Sequence, residues 1–149
     1  MDEVGGDFPK DLFVQSISLP TVKALSELHR NKPEDAIAAL EPARKYEYGA
    51  GPGTPANFEP VYIRGLAYMQ MNDGARAATE FQKMLDHRGA LALNELYPLA
   101  QLNLARAYVQ QGDSAKARTA YQDFLTLWKD ADPDIPILKQ AKAEYARLQ

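Results

Sequence analysis

Between Leu104 and Leu125 the chain reads LARAYVQQGDSAKARTAYQDFL, with Ala105 and Tyr108 three apart and then Ala117, Tyr121, Phe124 and Leu125 at spacings of three and four. Residues three and four apart share one helix face, so each half of the stretch carries a single apolar stripe, and the stripes meet only if the chain reverses at Gly112-Asp113. The pattern predicts two antiparallel amphipathic helices. Gly112 suits the left-handed residue just past a helix end, and Asp113 can accept a hydrogen bond from the first free amides of the next helix.

The unit recurs. Gly65 and Tyr68, the turn Asn72-Asp73-Gly74, and then Ala77, Phe81, Met84 and Leu85 keep the same spacings. Ala24, the turn Asn31-Lys32-Pro33, and then Ala36, Leu40 and Ala43 keep them again, with Glu27 where the other copies carry Tyr68 and Tyr108. The copies begin 41 residues apart (Ala24 to Gly65) and then 40 apart (Gly65 to Ala105).

This arrangement of small residue and Tyr in a first helix, then small residue and aromatic in a second, resembles the tetratricopeptide repeat, whose period is about 34 residues. The resemblance covers roughly Leu19 to Asp132, with about six or seven extra residues in each connection. It implies an all-α fold: an α-α superhelix of three tetratricopeptide-like helix hairpins (19–48, 58–88 and 98–129) closed by a capping helix over 135–149. A tail over residues 1–8 is expected to be disordered, with residues 9–149 forming one domain. The run Ala115 to Leu148, and the segment Glu80 to Gly89, also look like the C-terminal region of bacterial multidomain serine/threonine protein kinases that end in such repeats. Kinase chemistry itself is not expected here: there is no glycine-rich phosphate loop, no His-Arg-Asp and no Asp-Phe-Gly, and His87-Arg88 is followed by Gly89.

Other elements follow from local signals. Pro9 can open a short helix over Lys10 to Ile17, and Pro20 restarts the chain in the first full helix, to about His29. Glu34 and Asp35 complement the positive end of the next helix, which runs to about Tyr46 unless Pro42 ends it early. Gly49 to Pro60, with three Gly and three Pro in twelve residues, is a loop. It lacks the preceding strand and following Lys-Ser/Thr of a phosphate loop. Gly89 closes the second pair, Ala90 to Leu96 is an apolar connection, and Pro98 opens the third pair. In the last helix Leu138, Ala141, Tyr145 and Leu148 form one apolar face, with Lys139, Lys142, Glu144 and Arg147 around it. Such a helix closes the open hydrophobic end of a stacked array.

Composition narrows the function class. A chain of 149 residues with 46% hydrophobic and 25% charged residues suits one domain that buries a core. With no Cys, disulfides and thiolate metal sites are excluded. A net charge of −3 with both signs interspersed argues against nucleic acid, which needs clustered Lys and Arg. No apolar run reaches the ~20 residues of a membrane span, so no membrane insertion by this segment is expected. The N-terminus also lacks a signal segment. The compartment follows any parent chain: cytoplasmic, or periplasmic for a membrane kinase.

Side-chain chemistry is sparse. Asp130, Asp132 and Asp134 are spaced like the first ligands of a calcium loop, but Ile135 replaces the Gly of its sharp turn and Ala141 the closing Glu. The plainer reading is a solvated loop with Asp134 capping the last helix. His29 and His87 each sit near a helix C-terminus, and Trp128 reads as packing beneath the capping helix rather than stacking on a ligand. No nucleophile, base and orienting group come together, so neither enzyme activity nor a cofactor is expected.

What remains is surface. Stacked helix pairs curve, and their first helices line a concave groove that can hold an extended peptide or a partner helix. The expected lining is Tyr62, Leu66, Met69 and Gln70 from the second pair and Leu102, Asn103, Arg106 and Gln110 from the third. Asn103 and Arg106 are its only pair suited to a carboxylate. Two readings stand: a non-catalytic scaffold for a protein or peptide partner, or a structural module whose groove is filled by its own chain or by a second copy, as a homodimer.

Overall fold

All three turns foreseen from the spacing pivot on a left-handed residue, Asn31 at φ 59°, Asn72 at φ 56° and Gly112 at φ 75°. Gly and Asn tolerate that conformation best, and each here directly precedes or enters the turn into a second helix. The computed structural model describes residues 13–49, 56–91 and 95–149. The fold is all-α, with no strand among the described residues. The tail over 1–8, the start of the predicted Lys10–Ile17 helix, most of the loop over 50–55 and residues 92–94 of the apolar connection lie outside the described residues. Contacts divide the chain into two compact units, Met1–Met71 and Asn72–Gln149.

In the first unit a π-helical turn, Val14–Ser18, runs straight into α1, Leu19–His29. Pro20 therefore does not restart the chain as expected. Leu19 N–H donates to Val14 O, one residue beyond the usual α pairing. The wider turn relieves the clash a proline ring makes with the carbonyl four residues back. After the Asn31 turn, α2 spans Pro33–Ala39. Pro42 ends it early, and a 3₁₀ helix, Glu41–Tyr46, carries the chain on. The third helix, α3, spans Glu59–Gln70. Ala24 and Leu28 of α1, Ala36 of α2, Leu40 just past its end, and Ile63 and Ala67 of α3 form one buried cluster. The small residues let the helix axes approach, and the leucines fill the space between them.

The first unit also buries an ion pair. Arg64 of α3 is wholly inaccessible, and its Nη2 donates to the Glu47 carboxylate just after the 3₁₀ helix. Two charges leave water together there, so each depends on the other.

The second unit contains α4 (Gly74–Asp86), the short α5 (Arg88–Leu91), α6 (Leu96–Gln110), α7 (Ser114–Leu127) and α8 (Pro136–Ala146). Asp73 and Asp113 cap α4 and α7, each accepting at 3.0 Å from a backbone N–H three residues on. At the α6–α7 turn Asp113 N–H bonds Tyr108 O and Gly112 N–H bonds Val109 O, which satisfies carbonyls left open by the end of α6. Gly89 does not close the second pair: α4 breaks at His87 (φ −106°, ψ 36°), and Gly89 lies inside α5. The core here is Leu102 and Ala105 of α6, Ala120, Tyr121 and Phe124 of α7, and Leu138 and Ala141 of α8. Trp128 stacks on Phe124 with ring centroids 5.3 Å apart, in keeping with a packing role.

Candidate functional site

On α3, Tyr62, Leu66, Met69 and Gln70 fall at intervals of four, three and one, so they share a face. Their neighbours Ile63, Arg64 and Ala67 are sealed in the core. Tyr62, Leu66 and Met69 are half-buried and Gln70 is exposed. Leu66 leans on the edge of the α1–α2 cluster, and Gln70 Nε2 donates to Leu28 O at 3.3 Å. This face presents apolar area with a polar rim.

On α6 the expected lining is largely corrected. Leu102 is fully buried beside Tyr121 and Leu138, so it belongs to the core. Asn103 is 7% exposed, and its Oδ1 accepts from Arg106 Nη1 at 3.3 Å. Arg106 is already occupied. Its Nε and Nη2 donate to the two carboxylate oxygens of Glu144, on α8, at 2.9 and 3.0 Å, and Tyr121 OH donates to the same carboxylate at 2.8 Å. Only Gln110 stays exposed. The carboxylate that Arg106 meets comes from the chain's own last helix, and Asn103 contacts Arg106 rather than a carboxylate.

The charges in this network fix one another. Burial works against a charged Arg106, yet its hydrogen bonds to Glu144 outweigh that and hold its pKa above the usual value. Glu144 is likewise penalised by burial, but hydrogen bonds from Arg106 and Tyr121 keep its carboxyl below the usual range. Tyr121 is pushed well up, first by burial and then by donating to Glu144. Glu144 was read from the sequence as part of the polar surface. Its place three residues after Ala141, on the stripe of Leu138 and Ala141, is the signal that could have found it.

A second depression lies between α4, α6 and α7, with a volume of about 470 Å³. Gln82, Leu85, Gln101, Tyr108 and Asp123 line it. Lys116 Nζ stands 5.6 Å from the centre of the Tyr108 ring at its edge. It is lined by α6 as well as by the second helices α4 and α7, and its polar groups do not converge on a reacting centre.

The aspartates after Trp128 serve the loop. Asp132 Oδ1 accepts from Asp134 N–H at 2.8 Å, and Asp134 pairs with Lys139 Nζ at 2.7 Å. Asp134 does not cap α8; the N-cap is Ile135, without a side-chain bond. Pro136 at the first helical position carries no N–H there to satisfy. His87 Nδ1 lies 2.7 Å from Lys83 O, and His29 is exposed at the end of α1.

A family model described as Tetratricopeptide repeat matches residues 21–90 and again 62–134, well over half of the chain. The chain belongs to the tetratricopeptide repeat family. No curated protein matches it. In terms of the repeat, α1–α2 and α6–α7 are helix pairs, and α8 stands where the first helix of another repeat would stand. Leu138 and Ala141 share a buried cluster with Ala105, Tyr121 and Phe124, as Ile63 and Ala67 do with Ala24 and Leu40. Tetratricopeptide repeats mediate protein–protein interaction and scaffolding, and such domains are typically non-catalytic.

Proposed function

We propose that this protein is a non-catalytic scaffold that binds a protein or peptide segment through the first-helix face of α3. The supporting observation is that Tyr62, Leu66 and Met69 lie half-buried along one face with Gln70 exposed beside them, while Ile63, Arg64 and Ala67 are locked in the core. An apolar strip of this kind, edged by an amide, suits an amphipathic or extended segment with apolar anchors at alternate turns. The resemblance of Ala115 to Leu148 to the end of bacterial serine/threonine kinases supports a finer reading, a docking or sensory region attached to such an enzyme.

The test is selection of binding peptides from a displayed library against the full chain, followed by titration of the winners into the wild type and Tyr62→Ala/Met69→Ala. Loss of about tenfold or more in affinity, with an unchanged melting temperature, supports the α3 face. Equal binding by both proteins moves the site elsewhere.

A second reading has its own observation. At α6 the groove chemistry is spent on Glu144 of α8, which favours a module filled in part by its own chain. In that case deleting Glu144's carboxylate increases peptide binding at Arg106.

A further inference from the structure

The depression between α4, α6 and α7 has on its floor a polar side chain that the described residues leave largely unsatisfied. Gln101 of α6 is 9% exposed, and its amide makes one long contact, Nε2 to Asp123 Oδ2 at 3.5 Å. Its Oε1 accepts from no described residue. Buried amides ordinarily find partners within the fold, so Gln101 keeps hydrogen-bonding capacity for a ligand.

The depression is part of a longer trough. A hollow of about 400 Å³ shares Gln82 and Tyr108 with it, and another of about 470 Å³ shares Gln101 and Asp123. The lining runs from Ala75 to Asp86 on α4 and from Ala115 to Leu127 on α7. Helices of that length span about 20 Å, the reach of about six residues of extended chain. A helical ligand spends its main-chain groups on itself, whereas an extended one has N–H groups free for Gln101. Ala115 and Ala120 on the α7 wall leave a main chain room to come close.

Charge marks one end. In the hollow beyond Gln101, Arg88 and Lys129 outnumber Asp123, although the chain as a whole carries −3. Arg88 lies over the Tyr97 ring at 5.8 Å, and Lys129 reaches the carboxylate of exposed Asp130 only at 3.9 Å. The other cations along the trough are engaged more closely, Lys83 by Glu80 at 2.9 Å and Lys116 by Asp113 at 3.1 Å.

We propose that the trough between α4 and α7 binds an extended segment of a partner protein. A main-chain N–H of the segment donates to Gln101 Oε1, and an Asp or Glu side chain sits between Arg88 and Lys129. The trough shares no residue with the α3 face, so it stands or falls independently of the function proposed above.

The experiment selects octapeptides from a displayed random library against the full chain carrying Tyr62→Ala/Met69→Ala, which takes the α3 face out of play. Winners are then titrated by fluorescence polarisation. They are expected to carry Asp or Glu at a constant position. Affinity should fall about tenfold or more on Thr119→Trp, which fills the trough from an exposed site, and on Arg88→Gln/Lys129→Gln. Methylating one main-chain nitrogen of the peptide should cost a similar factor on the parent chain and little on Gln101→Met, where the bond is already gone. Thr119, Arg88 and Lys129 are exposed, so their variants carry the test even where Gln101→Met lowers stability. If no peptide is enriched, or the winners bind Thr119→Trp unchanged, the trough is not a docking site. If the winners need the trough but carry no acid, or have no position sensitive to methylation, the occupant is not an acidic extended segment.

Discussion

Arg106 and Glu144, thirty-eight residues apart, meet as a two-pronged ion pair, Nε to Oε2 at 2.9 Å and Nη2 to Oε1 at 3.0 Å. Parallel bonds of this kind fix orientation as well as distance, so the pair sets how α8 lies on α6. With Tyr121 donating to the same carboxylate, three helices share one polar node at the edge of an apolar core.

Removing that node has a calculable cost. Glu144→Ala strands a half-buried guanidinium and a phenol, and a charged hydrogen bond is worth about 1.5–3 kcal/mol before solvent screening of a partly exposed pair reduces it. Denaturant unfolding should show a loss of about 1–2 kcal/mol, and Arg106→Leu with Glu144→Leu together should lose less than the sum of the two single changes. Additive losses would mean that the two side chains do not interact in solution.

The same pair gives the stability a pH dependence of defined sign. Glu144's pKa is lower folded than unfolded, so its contribution is full above the unfolded value of about 4.3 and is lost as pH falls through the folded value. Asp73 and Asp113 act in the same direction, each lowered chiefly by the backbone N–H it accepts from, that of Arg76 and of Lys116. Stability should therefore fall on acidification from pH 5 to pH 3. In Glu144→Gln the fall should be shallower, read as the shift in urea midpoint across that range.

Arg64 and Glu47 make a sharper case because neither reaches water. Glu47→Ala removes the carboxylate to which a wholly buried guanidinium donates, and breaking such a pair from one side costs about 3–5 kcal/mol. Arg64→Met with Glu47→Leu, which removes both charges and keeps the volume, should recover much of that loss. A double variant as unstable as Glu47→Ala would show that packing, not the stranded charge, sets the cost.

The contrast between these two pairs shows where the sequence was readable. Turns and caps were legible because they are local: Gly112 and Asp113 each had a stated job, and both do it. The helix pairs were legible because the apolar stripes of α4 and α7 repeat at one spacing. Other features escaped, each for a physical reason. Pro20 was read as a break, but a π turn five residues long absorbs its ring, and nothing in the composition of Val14–Ser18 announces that. Asp134 was read as a cap, but Lys139 draws it away. Leu102 and Arg106 were placed in a groove because periodicity assigns a residue to a face without saying what comes to cover it. The cover is α8, joined through a loop of no fixed period.

Gly74 offers the most direct test of how closely the helices of the second unit approach. A Cβ added there would stand 2.5 Å from Ala107 O, 2.9 Å from Gln110 Cβ and 3.1 Å from Gln111 Cγ, and the first of these is backbone that cannot step aside. Gln111 Nε2 also donates to Gly74 O at 3.0 Å, so separating α4 from α6 would stretch that bond. In an ordinary exposed helix Gly→Ala stabilises by up to about 1 kcal/mol. Here the sign should reverse, with Gly74→Ala losing about 1–3 kcal/mol as an overpacked contact. Gly89, with nothing within 4 Å of its added Cβ, is the control: Gly89→Ala should be neutral or slightly stabilising. Gly112→Ala separates a third cause, since the space is open but φ is +75°, and left-handed strain alone should cost about 1 kcal/mol. Unfolding midpoints for the three variants in one buffer should then rank Gly74→Ala as the least stable, Gly112→Ala next and Gly89→Ala at or above the parent. If Gly74→Ala instead matches Gly89→Ala, α4 and α6 do not approach this closely at their crossing.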